Sequence, residues 1–136
     1  MNYELRTFIG ISRLKNSIDR KSNILVKEYG LSLPQFAVME ALLHRGDMCV
    51  GDVKDKILSS SGTMPVIVRN LKKKNLISSY KDKDDKRKEI LTLTEDGKEL
   101  IEEIFPKNED IIRESFDGLS KEEVKDMIRL LRKLGV

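Results

Sequence analysis

Apolar side chains recur along this chain with two different periods, and the change of period divides it into helices and strands. Five stretches repeat at three- and four-residue spacing, as amphipathic helices do, and a shorter sixth lies among them. The predicted helices begin near residues 3, 33, 50, 62, 95 and 121. Two strands are predicted between the fourth and fifth helices, at 77–80 and 88–93, and the hairpin tip that joins them has no apolar residue.

Local signals place several helix ends. Ser32 with Gln35, and Ser120 with Glu123, have the spacing of capping boxes. Asn75 follows the fourth helix, where a residue in the left-handed conformation is expected. The apolar residues of that helix recur at i, i+3, i+4 and i+7, so one face is predicted to be buried and the other to be free. They are Met64, Ile67, Val68 and Leu71.

The order of these elements predicts a mainly α-helical fold with a small β-wing, a winged helix-turn-helix. Two short helices joined by a turn rich in serine and glycine are followed by a basic hairpin, within about residues 31–93. The length of 136 residues fits a single domain. The first helix is longer than a small core can cover, so we expect its ends to lie against another chain.

Charge is distributed unevenly along the chain. The formal net charge is only +3, which by itself indicates little about partners. Between Arg69 and Lys88, however, nine basic residues face three acidic ones, a local excess of +6. From Glu95 to the C-terminus, 12 acids outnumber eight bases. A basic centre flanked by acidic helices favours a surface that binds double-stranded DNA, with a solvated lysine-rich surface as the alternative.

The predicted DNA-reading face is the outward side of the fourth helix and the turn before it. Its residues are Ser60, Ser61, Thr63, Pro65, Val66, Arg69 and Lys73. A helix of this size fits the major groove, where Thr63 and Arg69 can bond base edges or phosphates and Val66 can contact thymine methyls. At the hairpin tip, Arg87 suits the minor groove, and Asp85 is the acceptor that would hold it by a charge-assisted bond. Three lysines there can neutralise phosphates: Lys83, Lys86 and Lys88.

The run Asp85-Lys86-Arg87, followed by Leu93-Thr94 and Gly97, resembles the D-x-R…L-T-x-x-G wing signature of the multiple-antibiotic-resistance regulator (MarR) family. Four further segments fall at that family's spacing, so the resemblance covers nearly the whole chain. They are Leu33-Pro34-Gln35-Phe36, Ser60-Ser61-Gly62-Thr63, Leu71…Asn75-Leu76-Ile77 and Gly118-Leu119-Ser120…Glu123. The sequence departs from the family at Pro65 and Val66, where polar or basic side chains are usual.

The resemblance implies a homodimeric repressor that binds a pseudo-palindromic operator and is released by a small ligand or an oxidant. Residues 1–30 and 94–136 would form the dimerisation region. Arg87 would be the minor-groove residue of the wing, and Asp85 its structural partner. A ligand pocket would lie between the dimer helices and the DNA-binding lobe. Its candidate lining residues are Phe8, Ile11, Leu14, Phe36 and Met39.

Few residues point to other chemistry. Cys49, just before the short third helix, could sense oxidants through a thiol activated at a helix N-terminus, but a passive role is the simpler interpretation. His44 is the only histidine, and a metal site needs more ligands than it offers. The chain shows no nucleophile–histidine spacing and no glycine-rich phosphate loop. We therefore expect no enzyme activity, no metal and no cofactor.

The chain carries one cysteine, no signal peptide and no apolar run near the roughly 18 residues of a membrane span. We therefore expect a soluble cytoplasmic protein without a membrane partner. The alternative function is a protein-interaction module that keeps the winged-helix scaffold but binds a partner protein. Outward-facing Pro65 and Val66 would favour that alternative, and the local charge of +6 argues against it.

Overall fold

A computed structural model describes residues 2–57 and 63–136, which form six helices and three strands in these ranges. The helices are α1 (Tyr3–Glu28), α2 (Leu33–Arg45), α3 (Val50–Ile57), α4 (Met64–Lys73), α5 (Glu95–Glu114) and α6 (Lys121–Lys133). The strands are β1 (Met48–Cys49), β2 (Ile77–Lys81) and β3 (Glu89–Leu93). This mainly helical winged helix-turn-helix is the fold class that the sequence predicted.

The helix ends follow the predicted local signals. Both capping boxes are formed, with Ser32 and Gln35 bonded reciprocally at the start of α2 and Ser120 and Glu123 at the start of α6. These bonds satisfy backbone N–H groups that have no partner inside the helix. Asn75 adopts φ 58° after α4, the left-handed conformation that asparagine tolerates better than most residues.

The three strands form an antiparallel sheet in the order β1-β3-β2. Strands β2 and β3 pair over their full length, from Ile77 opposite Leu93 to Lys81 opposite Glu89. The two-residue β1 was not predicted, because a segment this short has no readable alternation of its own. It exists because Met48 pairs with Leu91 on the free edge of β3.

The hydrophobic core lies within the winged helix and between it and the adjoining halves of α1 and α5. Helix α2 contributes Phe36 and Met39, which are nearly inaccessible to solvent. The four residues of α4 predicted to face inward are all buried. Val26 of α1 and Ile101 of α5 close the core from the other side. These contacts fix α4 and the wing relative to one another.

Helix α6 and the N-terminal half of α1 leave apolar side chains uncovered. No residue of α6 is buried. The exposed fraction is 65% at Phe8 of α1 and 50% at Leu130 of α6. A periodic apolar stripe without a covering surface is unusual for an isolated domain. Within the described residues, no helix is both long and apolar enough to cross a membrane.

Candidate nucleic-acid interface

Helix α4 presents a continuous outward face beside its buried stripe. Pro65, Val66, Arg69 and Lys73 are all exposed, and Thr63 is exposed at the N-cap position. Pro65 lies in the first turn, where its missing N–H leaves no intrahelical bond unmade. All five residues are on the predicted reading face. Ser60 and Ser61, which were predicted to join them, lie outside the described residues.

The β2–β3 hairpin carries the second cluster of predicted DNA contacts. Its tip is closed by backbone bonds from Asp82 N to Lys88 O at 3.1 Å and from Lys88 N to Asp85 O at 2.9 Å. The lysines of the tip, Lys83 and Lys86, are exposed, as is Lys88. These side chains project from a hairpin whose backbone is held at both ends of the turn.

Asp85 and Arg87 form the bond that the sequence suggested. The Asp85 carboxylate accepts from the Arg87 backbone N–H at 3.1 Å, from Nε at 3.0 Å and from Nη2 at 3.3 Å. These bonds lower the pKa of the Asp85 carboxyl. The Arg87 side chain is nevertheless 92% exposed. Asp85 thus restricts the directions that the guanidinium can take without burying its charge.

A cleft of about 630 Å³ separates α4, the predicted recognition helix, from the wing sheet. It is lined by Val50, Pro65, Val68, Arg69, Lys72, Lys73 and Glu89. Across it, Lys72 Nζ lies 2.5 Å from Glu89 Oε1. Lys72 and its hydrogen bond lower the pKa of the Glu89 carboxyl, and a hydrogen bond from Ser79 adds to that effect. Sequence reasoning missed this pair, because the two residues are 17 positions apart on different elements.

Several basic residues of the stretch 69–88 are engaged in contacts within the chain. Lys74 Nζ bonds the Gly30 carbonyl and also Gln35 Oε1, the latter at 3.2 Å, so this lysine ties α4 to the α1–α2 junction. Lys72 is paired with Glu89 and Arg87 with Asp85. Among the described residues, Arg69 and Lys73 have no acidic partner.

The junction of wing and α5 depends on a close backbone approach. The Leu76 carbonyl accepts from Thr94 N at 3.1 Å, and the Thr94 hydroxyl donates to the Asn75 carbonyl at 2.7 Å. Gly97 is buried directly over Leu76, and a Cβ at this glycine would lie 1.9 Å from the Leu76 oxygen. The glycine of the predicted wing signature is therefore required by space at this junction.

A second cavity, of about 420 Å³, lies where α1, α2 and α5 meet. It is lined by Lys15, Ile18, Asp19, Ser22, Leu33, Pro34, Phe36, Ala37, Glu40, Ile57, Asn108 and Ile112. On its wall the buried Ser22 hydroxyl donates to Asn108 Oδ1 at 2.5 Å. Burial raises the pKa of the Glu40 carboxyl, while His44 opposes the shift and Glu109 adds to it.

Of the five candidate lining residues named from the sequence, Phe36 lines this cavity. Met39 is fully buried in the core, Leu14 is half-buried outside the lining, and Phe8 and Ile11 are exposed. The physical reason is that the cavity borders α1 from Lys15 to Ser22, whereas Phe8, Ile11 and Leu14 lie further toward the N-terminus. Helical period alone places a residue on a face and does not say how far along the helix its neighbours extend.

Cys49 and His44 take structural positions. Cys49 is a half-buried free thiol that directly precedes α3 and pairs with Ile90 in the sheet. His44 packs edge-on against Phe105, with ring centroids 4.6 Å apart. In residues 2–57 and 63–136, no three potential ligands among histidine, cysteine and acidic side chains lie close enough to hold a metal ion.

Comparison with known proteins places this geometry among DNA-binding regulators. The family described as transcriptional regulator SarA/Rot matches residues 20–104. The HTH-type transcriptional regulator MhqR of Bacillus subtilis is 35% identical over 97% of this chain and 91% of its own length. BpsR of Bordetella bronchiseptica, whose DNA binding is regulated by 6-hydroxynicotinic acid, is 27% identical, with a TM-score of 0.85 over 99% of this chain and 96% of that one. MepR of Staphylococcus aureus, solved in complex with DNA, shares the fold at 23% identity, with a TM-score of 0.81 over 98% and 96% of the two chains.

Proposed function

Because this chain belongs to the MarR family of winged helix-turn-helix transcriptional regulators, we propose that it is a repressor that binds a pseudo-palindromic operator as a homodimer and is released by a small ligand or an oxidant. The chain is a DNA-binding regulator rather than an enzyme, as its relatives are. Its place of action is the cytoplasm, where the DNA is.

The observation that carries the proposal is the exposed basic face shared by α4 and the wing. On α4, Arg69 and Lys73 are cationic and without acidic partners among the described residues, beside the apolar Val66. This helix enters the major groove, while Arg87 reaches the minor groove beside it and the wing lysines contact phosphates. The contact set consists of Ser60, Ser61, Thr63, Pro65, Val66, Arg69, Lys73, Lys83, Lys86, Arg87 and Lys88, with Asp85 orienting Arg87.

The homodimer is supported by the uncovered apolar residues of the terminal helices. Those of α1 and α6 are Tyr3, Leu5, Phe8, Ile11, Ile24, Ile128 and Leu130, and Leu134 directly follows α6. A second copy of the same chain offers the same surfaces, and a two-fold dimer would cover both sets at once. Residues 31–93 then form the DNA-binding lobe, and residues 1–30 and 94–136 form the dimerisation region.

Release by a small ligand is supported by the cavity between α1, α2 and α5. Its walls come from both the proposed dimerisation helices and the DNA-binding lobe. A ligand that fits only one arrangement of these walls would shift the population toward that arrangement. The two α4 helices of a dimer can enter successive major grooves at only one separation. A ligand that changes this separation would therefore lower the affinity for the operator. DNA binding by BpsR, which shares this fold, is regulated by a small molecule, 6-hydroxynicotinic acid.

Selection of bound sequences from a random duplex pool, at two salt concentrations, tests the proposal. We expect enrichment of an inverted repeat, two chains per selected duplex by native mass spectrometry, and affinity that falls steeply as salt rises. Enrichment of a single half-site bound by one chain would contradict the homodimer. Absence of binding at either salt would contradict operator recognition and favour the alternative of a protein-interaction module.

An oxidant as the releasing signal is tested separately on the operator complex. Cys49 is the only thiol, so we expect Cys49→Ser to abolish any response to peroxide or quinone. A full response in the Cys49→Ser variant would rule out this cysteine as the sensor and leave the small ligand as the releasing signal.

A further inference from the structure

The ion pair between Lys72 and Glu89 stands out on the DNA-reading side of the molecule. Lys72 belongs to α4, and Glu89 is the first residue of β3, so the pair spans the cleft between recognition helix and wing. The two side chains are 37% and 44% exposed, with 2.5 Å between Nζ and Oε1. Both are accessible to an approaching phosphate.

The neighbours of Lys72 differ from it in one respect. Arg69 and Lys73 line the same cleft and have no acidic partner within the described ranges. Glu89, by contrast, is the only acid in the lining of that cleft as described, and its carboxylate is directed at Lys72. Ser79 on the neighbouring strand also helps to lower the pKa of this carboxyl. Glu89 is therefore placed to act on one lysine and to leave the other two basic residues available.

We infer that Glu89 is a positioning residue that keeps Lys72 out of the set of phosphate contacts and so limits the sequence-independent affinity of this regulator for DNA. If Lys72 moved to a phosphate, the Glu89 carboxylate would be left without its cation beside a second negative charge. The inference rests on DNA binding through α4 and the wing, and it does not require the homodimer or the small ligand.

The physical consequence is a change in how binding depends on salt. Each phosphate that a basic side chain neutralises on duplex DNA steepens the plot of log affinity against log salt by about 0.9. A lysine already neutralised by Glu89 adds nothing to that slope. Neutralising Glu89 makes Lys72 available to bind a phosphate, so Lys72 should add one phosphate contact per bound chain.

The experiment measures binding to a random-sequence duplex by fluorescence anisotropy at several salt concentrations between 50 and 200 mM. We expect Glu89→Gln to bind about two- to tenfold more tightly at 50 mM, with a slope steeper by about 0.9 per bound chain. The gain should shrink about 3.5-fold between 50 and 200 mM. Lys72→Gln alone should keep the wild-type slope, and in the double variant the added slope should disappear.

The matched control is Glu122→Gln, which removes the same charge from a comparable lysine pair on α6. Glu122 Oε1 lies 3.4 Å from Lys125 Nζ, at the far end of the chain from the wing. The plot of log affinity against log salt for the Glu122→Gln variant should have the same slope as that of the wild type. Equal steepening in Glu89→Gln and Glu122→Gln would overturn the inference, because total charge would then explain it.

Two further results would overturn it. The first is a Lys72→Gln slope shallower by about 0.9, which would mean that Lys72 already contacts phosphate. The second is weaker binding by Glu89→Gln, which would mean that the pair orients α4. Exposed ion pairs contribute little to stability, so both variants should fold, as circular dichroism can verify. Complete absence of DNA binding by the wild type would contradict the proposed function and not this assignment specifically.

Discussion

Replacing Gly97 by alanine should destabilise this protein more than any other glycine-to-alanine change in the described helices. The first turn of α5 passes over the Leu76 carbonyl so closely that an added Cβ would lie 1.9 Å from its oxygen and 2.9 Å from its carbon. The obstacle is backbone, so no side chain can rotate away to make room. The absence of a side chain at Gly97 therefore allows α5 to pack against Leu76, between α4 and β2.

The expected loss of stability follows from the distance that must open. Real Cβ contacts are rarely shorter than 3.0–3.4 Å, so α5 and the Leu76 carbonyl must separate by more than about 1 Å. Overpacking of this kind costs about 1–3 kcal/mol. The same movement stretches the 3.1 Å bond from Thr94 N to Leu76 O, whose loss costs about 1 kcal/mol. The sum, about 3 kcal/mol, corresponds to a decrease in Tm of about 10 °C for a chain of this length.

Urea denaturation followed by circular dichroism measures the effect, at one fixed protein concentration because the proposed dimer would add to stability in a concentration-dependent way. Gly51→Ala is the matched control. Gly51 lies in α3, with no atom within 4 Å of its added Cβ, so alanine there should be neutral or stabilising by about 0.5 kcal/mol. A Gly97→Ala variant within 0.5 kcal/mol of the wild type would refute the reasoning from close approach.

Three further predictions concern the wing, the dimer and the cavity. Arg87→Ala should weaken operator binding by about 1–3 kcal/mol in a titration followed by fluorescence anisotropy. Its Tm should be unchanged, because the Arg87 side chain is 92% exposed. Unchanged affinity would contradict the assignment of Arg87 to the minor groove. Ile128→Asp should raise the dissociation constant of the dimer about 100-fold or more, as measured by sedimentation velocity, because it would bury an unpaired carboxylate in the proposed interface. A dissociation constant equal to that of the wild type would place the interface elsewhere. Glu40→Gln should raise Tm at pH 7 but not at pH 4. The pKa of this carboxyl is raised above its ordinary 4.5, so it stabilises the fold when protonated and loses that contribution as pH rises. An equal effect on Tm at both pH values would contradict the burial of this carboxyl.

Features set by neighbours in the chain could be predicted from the sequence. The capping boxes at Ser32 and Ser120 each need one residue three positions later, and Asn75 needs only the helix before it. The buried stripe of α4 follows from a period of 3.6 residues. The bond between Asp85 and Arg87 is also local, because the two residues are separated by one position.

Features set by distant pairs could not be predicted in the same way. Strand β1 depends on the edge of β3, which is about 40 positions later in the chain. The pairing of Lys72 with Glu89, and of Tyr80 with Asp47 at 2.8 Å, depends on how two elements pack. The apolar stripe of α6 was predicted as a stripe, but its period could not show that none of its residues is buried against residues 2–57 and 63–136.

The spacing of operator half-sites tests the central claim most directly. Once the inverted repeat is selected, affinity is measured for operators with 5 or 10 base pairs inserted between the half-sites. A dimer that holds its two α4 helices at one separation should bind both lengthened operators with lower affinity than the selected one. The loss should be greater at 5 base pairs, which turns the half-sites onto opposite faces of the duplex, than at 10, which restores one face. Affinity independent of the insertion would mean that each chain binds its half-site alone, and the homodimeric repressor would be contradicted.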